Sequence, residues 1–142
     1  MEIEEDLQKL EDSKIIYSRA GGGAGSILLI KAENKNAIWI WCYWEILHDG
    51  EILATADDDT TAVVGKVAVA ARQLEGKKIK RIELTPPYYD LHIYLDDDYE
   101  LIINCESQPE DEDYPLNNWE LMMNDNTTYC VTCDFSIIKE TE

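Results

Sequence analysis

The feature that most restricts the fold is the stretch 77–106, KKIKRIELTPPYYDLHIYLDDDYELIINCE, in which apolar residues return at every second position. A repeat of two belongs to a strand with one face buried and the other wet. Tyr99, Leu101, Ile103 and Cys105 share one face, and Glu100, Asn104 and Glu106 the other. Leu91, Ile93 and Leu95 alternate with His92 and Tyr94, while Ile82 and Leu84 alternate with Arg81 and Glu83. Asp96-Asp97-Asp98 separates two of these runs. Three carboxylates do not share a dry site and Asp tolerates turn dihedrals, so this is an exposed hairpin turn. Pro86-Pro87 ends the first run, because neither residue donates to a ladder. A meander of three antiparallel strands is expected.

Upstream, residues 37–47, AIWIWCYWEIL, are apolar on both faces. Ile38, Ile40, Cys42, Trp44 and Ile46 lie on one side, and Trp39, Trp41, Tyr43 and Leu47 on the other, which predicts one central strand covered twice. Asp49-Gly50 is a two-residue hairpin signal, and residues 51–55 form the returning strand. Residues 60–75 carry Val63, Val64, Val67, Ala68, Ala70, Ala71 and Leu74 at helical spacing, with Asp59 or Thr60 as cap and Gly76 as stop. That helix is expected to pack across the sheet. A short acidic helix is expected near the N-terminus, built on Ile3, Leu7 and Leu10. The run 20–26, AGGGAGS, lacks the Lys and the following helix of a phosphate loop, and reads as a flexible connection. A last hairpin turns at Asn124-Asp125-Asn126. The fold class is therefore α+β, one domain over residues 1–142. Residues 1–26 hold the short helix and Gly-rich loop, and residues 27–138 the mainly antiparallel sheet with its helix.

Thirty acids against twelve Lys and Arg give a formal net charge of −18. That field opposes nucleic acid and anionic membranes, and favours a basic protein or a cation as partner; it also keeps a chain soluble. The N-terminus is acidic and polar, unlike a secretory leader, and no run is apolar enough to span a membrane, so a cytoplasmic location is expected. Cys130-Val131-Thr132-Cys133 has CxxC spacing, yet no second CxxC or nearby His completes a zinc set, and no helix follows as in a redox motif. None of the acidic clusters has the EF-hand pattern. Neither a metal nor a cofactor is expected. Trp39, Trp41 and Tyr43 suit either a core beneath a helix or a stacking platform for sugars or bases. Glu45 is an acid among apolar neighbours, and with His48 or His92 it offers the ingredients of a small hydrolase.

Taken together, the WIWCYWE strand, the LEGKKI helix end, the YDLHIYLDDDYELII hairpin and the late NWEL strand resemble small bacterial proteins grouped with the immunity proteins of polymorphic and contact-dependent toxin systems. The resemblance covers residues 37–133 and transfers no catalytic residue. It implies a cytosolic binding protein that neutralises a toxin by occlusion. On that reading Asp57, Asp58, Asp59, Asp96, Asp97, Asp98, Glu110, Asp111, Glu112 and Asp113 meet a basic patch on the toxin. Tyr114 or Trp119 supplies the buried anchor. The alternatives are the hydrolase above and a regulatory module that homodimerises through the aromatic strand.

Overall fold

The computed structural model describes residues 1–107 and 117–141. Helix α1 (Glu2–Gln8) is followed by strands β1 (Ile15–Arg19), β2 (Leu28–Ala32), β3 (Ala37–Ile40), β4 (Tyr43–His48) and β5 (Glu51–Thr55). Helix α2 (Lys66–Gln73) precedes β6 (Ile79–Thr85), β7 (Asp90–Leu95), β8 (Tyr99–Asn104), β9 (Asn117–Met122), β10 (Thr127–Thr132) and β11 (Ile137–Thr141). The strands form two antiparallel sheets, ordered β1-β2-β3-β9-β10-β11 and β5-β4-β8-β7-β6. Their buried faces and both helices contribute to one hydrophobic core. The α+β class stands.

The meander of β6, β7 and β8 is present, with Leu91, Ile93, Leu95, Leu101 and Ile103 buried. The β4–β5 hairpin turns at Asp49 and Gly50, whose φ values of 53° and 79° are those a two-residue turn of this hand requires. The last hairpin joins β9 to β10, and β11 extends it.

Residues 37–47 depart from expectation. They are two strands in two different sheets, β3 inside the six-stranded sheet and β4 inside the five-stranded one. The break falls at Trp41 and Cys42, whose N–H groups both donate to the Asn118 carbonyl (2.9 and 3.1 Å) instead of continuing a ladder. Ile38, Ile40, Cys42, Trp44 and Ile46 are all buried, as alternation demands. Trp39, Trp41, Tyr43 and Leu47 are only half-buried, so this run is covered once, not twice. Neither strand is an edge, so an edge-to-edge homodimer through the aromatic run has no free ladder to use.

The main helix begins at Lys66, later than its apolar pattern suggests, with Gly65 as N-cap. Val63 and Val64 are exposed at 66 % and 76 %. A Cβ on Gly65 would lie 2.5 Å from the Thr61 carbonyl oxygen, so the chain is folded tightly on itself just before the helix. α2 lies nearest β1 and β5, the edge strands of the two sheets, and its Val67, Ala70, Ala71 and Leu74 join the core shared by both sheets. The Gly-rich run is anchored: Gly21 N–H donates to the Gly25 carbonyl and Gly22 N–H to the Thr60 carbonyl, both at 2.7 Å.

Candidate functional site

Two turns meet at one end of the five-stranded sheet. β8 lies between β4 and β7, which brings the β4–β5 turn beside the β7–β8 turn, and Asp49 N–H donates to the Asp98 carbonyl at 3.0 Å. Asp97 and Asp98 both take left-handed φ, 58° and 59°, which Asp tolerates better than most residues. An open cleft of about 540 Å³ runs from these turns onto the outer sheet face; Asp49, Lys80, Tyr94, Asp98, Tyr99 and Glu100 line it.

The walls are aromatic and already accept cations. His48 stacks on Tyr99 (centroids 4.1 Å apart) and His92 on Tyr94 (4.0 Å). The Lys77 ammonium sits 4.9 Å from the Tyr99 ring centre and the Arg81 guanidinium 4.3 Å from that of Tyr94, both within cation–π range. His92 Nε2 lies 2.8 Å from Glu100 Oε1. Lys77 donates to Asp97 at 2.6 Å, and that hydrogen bond, with the ammonium charge, holds the Asp97 carboxyl below its ordinary value. Asp96 accepts from the Lys78 backbone N–H at 3.2 Å. Asp98 has no ion pair among the described residues, and Asp49 is 67 % exposed with only His48, at 3.6 Å, beside it. These two are the carboxylates best placed to receive a partner's charge.

The other candidates lie elsewhere. Asp57, Asp58 and Asp59 follow β5, at the opposite end of β4 from Asp49, roughly 17–20 Å away by strand rise. Asp58 accepts from Thr55 N–H at 2.7 Å, and Asp59 from Thr61 N–H and hydroxyl at 3.0 and 2.7 Å. The Thr61 bonds hold the Asp59 carboxyl below its usual value. These acids shape the approach to α2, at the far end of β4 and β5 from the Asp96–Asp98 turn. Trp119 is wholly buried and its indole N–H donates to the Tyr89 carbonyl at 3.0 Å, so it is a core residue and not a partner anchor. Glu110, Asp111, Glu112, Asp113 and Tyr114 lie outside the described residues.

Glu45 and His48 stand at odd spacing on β4 and face opposite sides of the sheet. Glu45 and His92 share a face, but Ile102 of β8 is registered between them and puts them about two strand spacings, roughly 9–10 Å, apart. His92 is engaged with Glu100. Cys130 is half-buried in β10, where burial and the neighbouring Glu120 push its thiol up to about 12. No group of three or more His, Cys, Asp or Glu side chains is placed to hold a metal ion among the described residues.

Sequence reasoning found the Asp96–Asp98 turn but missed Asp49, Tyr94 and Glu100 as members of the same site. Asp49-Gly50 was legible as a turn; its meeting with Asp98 depends on β4 pairing with β8. Comparison of the chain with protein-family models, curated proteins and solved structures gave no match.

Proposed function

We propose that this chain is an acidic, non-catalytic binding protein that occludes a basic protein partner, in the manner of an immunity protein against a basic toxin. The observation that carries the reading is the convergence of Asp49, Asp98 and Glu100 with Tyr94 and Tyr99 around one open cleft. A Lys or Arg side chain from a partner entering there meets Asp98, which has no ion pair among the described residues, and the exposed Asp49 against aromatic walls, the chemistry that Lys77 and Arg81 already exploit within the chain. The net charge of −18 steers such a partner in from a distance, setting on-rate more than affinity. Among the described residues no helix is long and apolar enough to cross a membrane. A cytoplasmic location belongs to the same proposal, and the free cysteines are in keeping with a reducing compartment.

The test is a titration against a purified basic nuclease domain, starting with the product of the neighbouring gene, at low and at high salt. Wild-type protein associates faster at low salt. The triple variant Asp49→Asn, Asp98→Asn, Glu100→Gln loses most of that salt dependence and binds at least about tenfold more weakly. Association that ignores both ionic strength and the triple variant refutes this surface.

A further inference from the structure

The outer face of the six-stranded sheet carries a second cleft with the opposite chemistry. Register places Arg19, Leu29 and Trp39 in one row across β1, β2 and β3, with Tyr17 opposite Lys31 in the next. Between this face and the Gly-rich turn is an open space of about 370 Å³, lined by Tyr17, Arg19, Ala24, Ile27, Leu29 and Trp39 together with Ala20 and Gly21. That volume lies in the range of small-molecule sites, and its walls are mostly apolar and aromatic. Among the described residues not one carboxylate lines it. Two of the twelve cations instead converge on a single ring: the Arg19 guanidinium carbon is 5.1 Å and the Lys31 ammonium 5.3 Å from the centre of Tyr17.

We infer that this cleft binds a small planar aromatic carboxylate. Trp39 lies parallel to Trp41, centroids 5.4 Å apart and planes within 14°, which fixes the orientation of the indole against which a ligand ring would rest. Arg19 Nη1 is engaged by Glu75 Oε1 (2.5 Å) and the Ser18 carbonyl (3.0 Å), so the guanidinium is held in place. Its Nε and Nη2 make no hydrogen bond among the described residues, and they provide donors for a carboxylate. The opposite wall is preformed. Gly21 takes φ 95°, and a Cβ there would come within 3.0 Å of the Ala68 Cβ, so the turn is seated against α2 and cannot collapse into the cleft. A rigid wall spares the ligand the cost of ordering it. A single negative charge suits the site: Glu75 already offsets part of Arg19, and the field of the whole chain resists polyanions. This site is on a different sheet from the acidic cleft and does not depend on the function proposed for that cleft.

The probes are indole-3-acetate, its neutral isostere indole-3-acetamide and the cation tryptamine. Each is titrated into ¹⁵N-labelled protein while the four tryptophan indole N–H signals are followed, with affinities from calorimetry. The Trp39 signal moves while those of the buried Trp44 and Trp119 stay. The acetate binds about tenfold more tightly than the acetamide, as a partly exposed charge-assisted pair gives, and tryptamine binds least. Arg19→Gln removes the preference for the acetate over the acetamide. Lys31→Gln, which spares the Glu75 pair, reduces the same preference. Trp39→Leu abolishes both, with the Trp44 and Trp119 signals reporting an intact core. Equal binding of all three probes, no binding by the acetate at millimolar concentration, or shifts that avoid Trp39 overturns the inference.

Discussion

Asn118 is the residue on which the passage between the two sheets turns, and its replacement gives a test with opposite signatures for two variants. Its side chain is wholly buried. Oδ1 accepts from Glu106 N–H at 2.9 Å and Nδ2 donates to the Thr132 carbonyl at 3.1 Å, while its backbone carbonyl receives Trp41 and Cys42. Asn118→Ala deletes both side-chain bonds and strands an N–H and a carbonyl. At about 1 kcal/mol net per bond, plus the cost of a polar group left dry, the loss is about 2–4 kcal/mol. In a chain of this size that lowers Tm by about 6–12 °C. Asn118→Asp keeps the shape and the acceptor for Glu106, but sets a carboxylate oxygen against the Thr132 carbonyl. Burial and that contact disfavour the charged form, so the new acid has a raised folded-state pKa. An acid shifted upward costs least below its unfolded value, near pH 4, and most once pH exceeds its folded value. Denaturant unfolding near pH 4 and near pH 8 should therefore show Asn118→Asp close to wild type in acid and far below it in base, with Asn118→Ala equally weak at both. If Asn118→Ala melts within about 2 °C of wild type, or Asn118→Asp loses the same stability at both pH values, the junction is not held as described.

Two further outcomes follow from titratable groups away from the clefts. The Tyr129 hydroxyl donates to Asp6 Oδ2 at 2.6 Å, and burial together with that carboxylate pushes the phenol above its ordinary value. A raised folded-state value means stability fully present below pH 10 and lost as pH climbs beyond it; Tyr129→Phe should cost about 1–2 kcal/mol at neutral pH and flatten the alkaline decline, as read from denaturant midpoints between about pH 7 and pH 11. Cys130 has its thiol raised from 9.0 to about 12, so near neutral pH its thiolate population is about a thousandfold below that of an ordinary thiol; disulfide-reagent labelling with peptide mapping should find it slow in the native chain and fast in urea, and equal rates would refute the burial assigned to it.

Local periodicity carried much of the architecture. The alternation in residues 77–106 specified three strands because each side chain answers only to the face it occupies, and Asp49-Gly50 specified a turn because both positions take positive φ. What failed was whatever depends on distant residues. Nothing between Ala37 and Leu47 marks the change of sheet, since Ile38, Ile40, Cys42, Trp44 and Ile46 keep one unbroken alternation through it; the carbonyl that draws Trp41 and Cys42 aside belongs to Asn118. Val63 and Val64 continue the apolar helical pattern, but the backbone packing around Gly65 and the carboxylate turns of Asp58 and Asp59 keep the chain out of the helix until Lys66. Trp119, flanked by Asn118 and Glu120, had the local look of an exposed aromatic. Its pairing opposite Ile40 and Val131, both buried, sets it in the core. The acidic turns were legible one by one, and their grouping was not, because it is a property of strand order.

Strand order also determines the sequence of events in folding. Every strand of the five-stranded sheet comes from residues 43–104, whereas in the other sheet β1, β2 and β3 meet β9, β10 and β11 at the β3–β9 ladder. On the ribosome, the middle of the chain has all its pairing partners before the last quarter emerges. The opening hairpins must wait, with β3 temporarily the rim of a half-built sheet and Ile38 and Ile40 lacking Leu121 and Trp119 across from them. Closing contacts over such a separation is slow, and the interval is when a chaperone, or a second unfinished chain, has access to that rim.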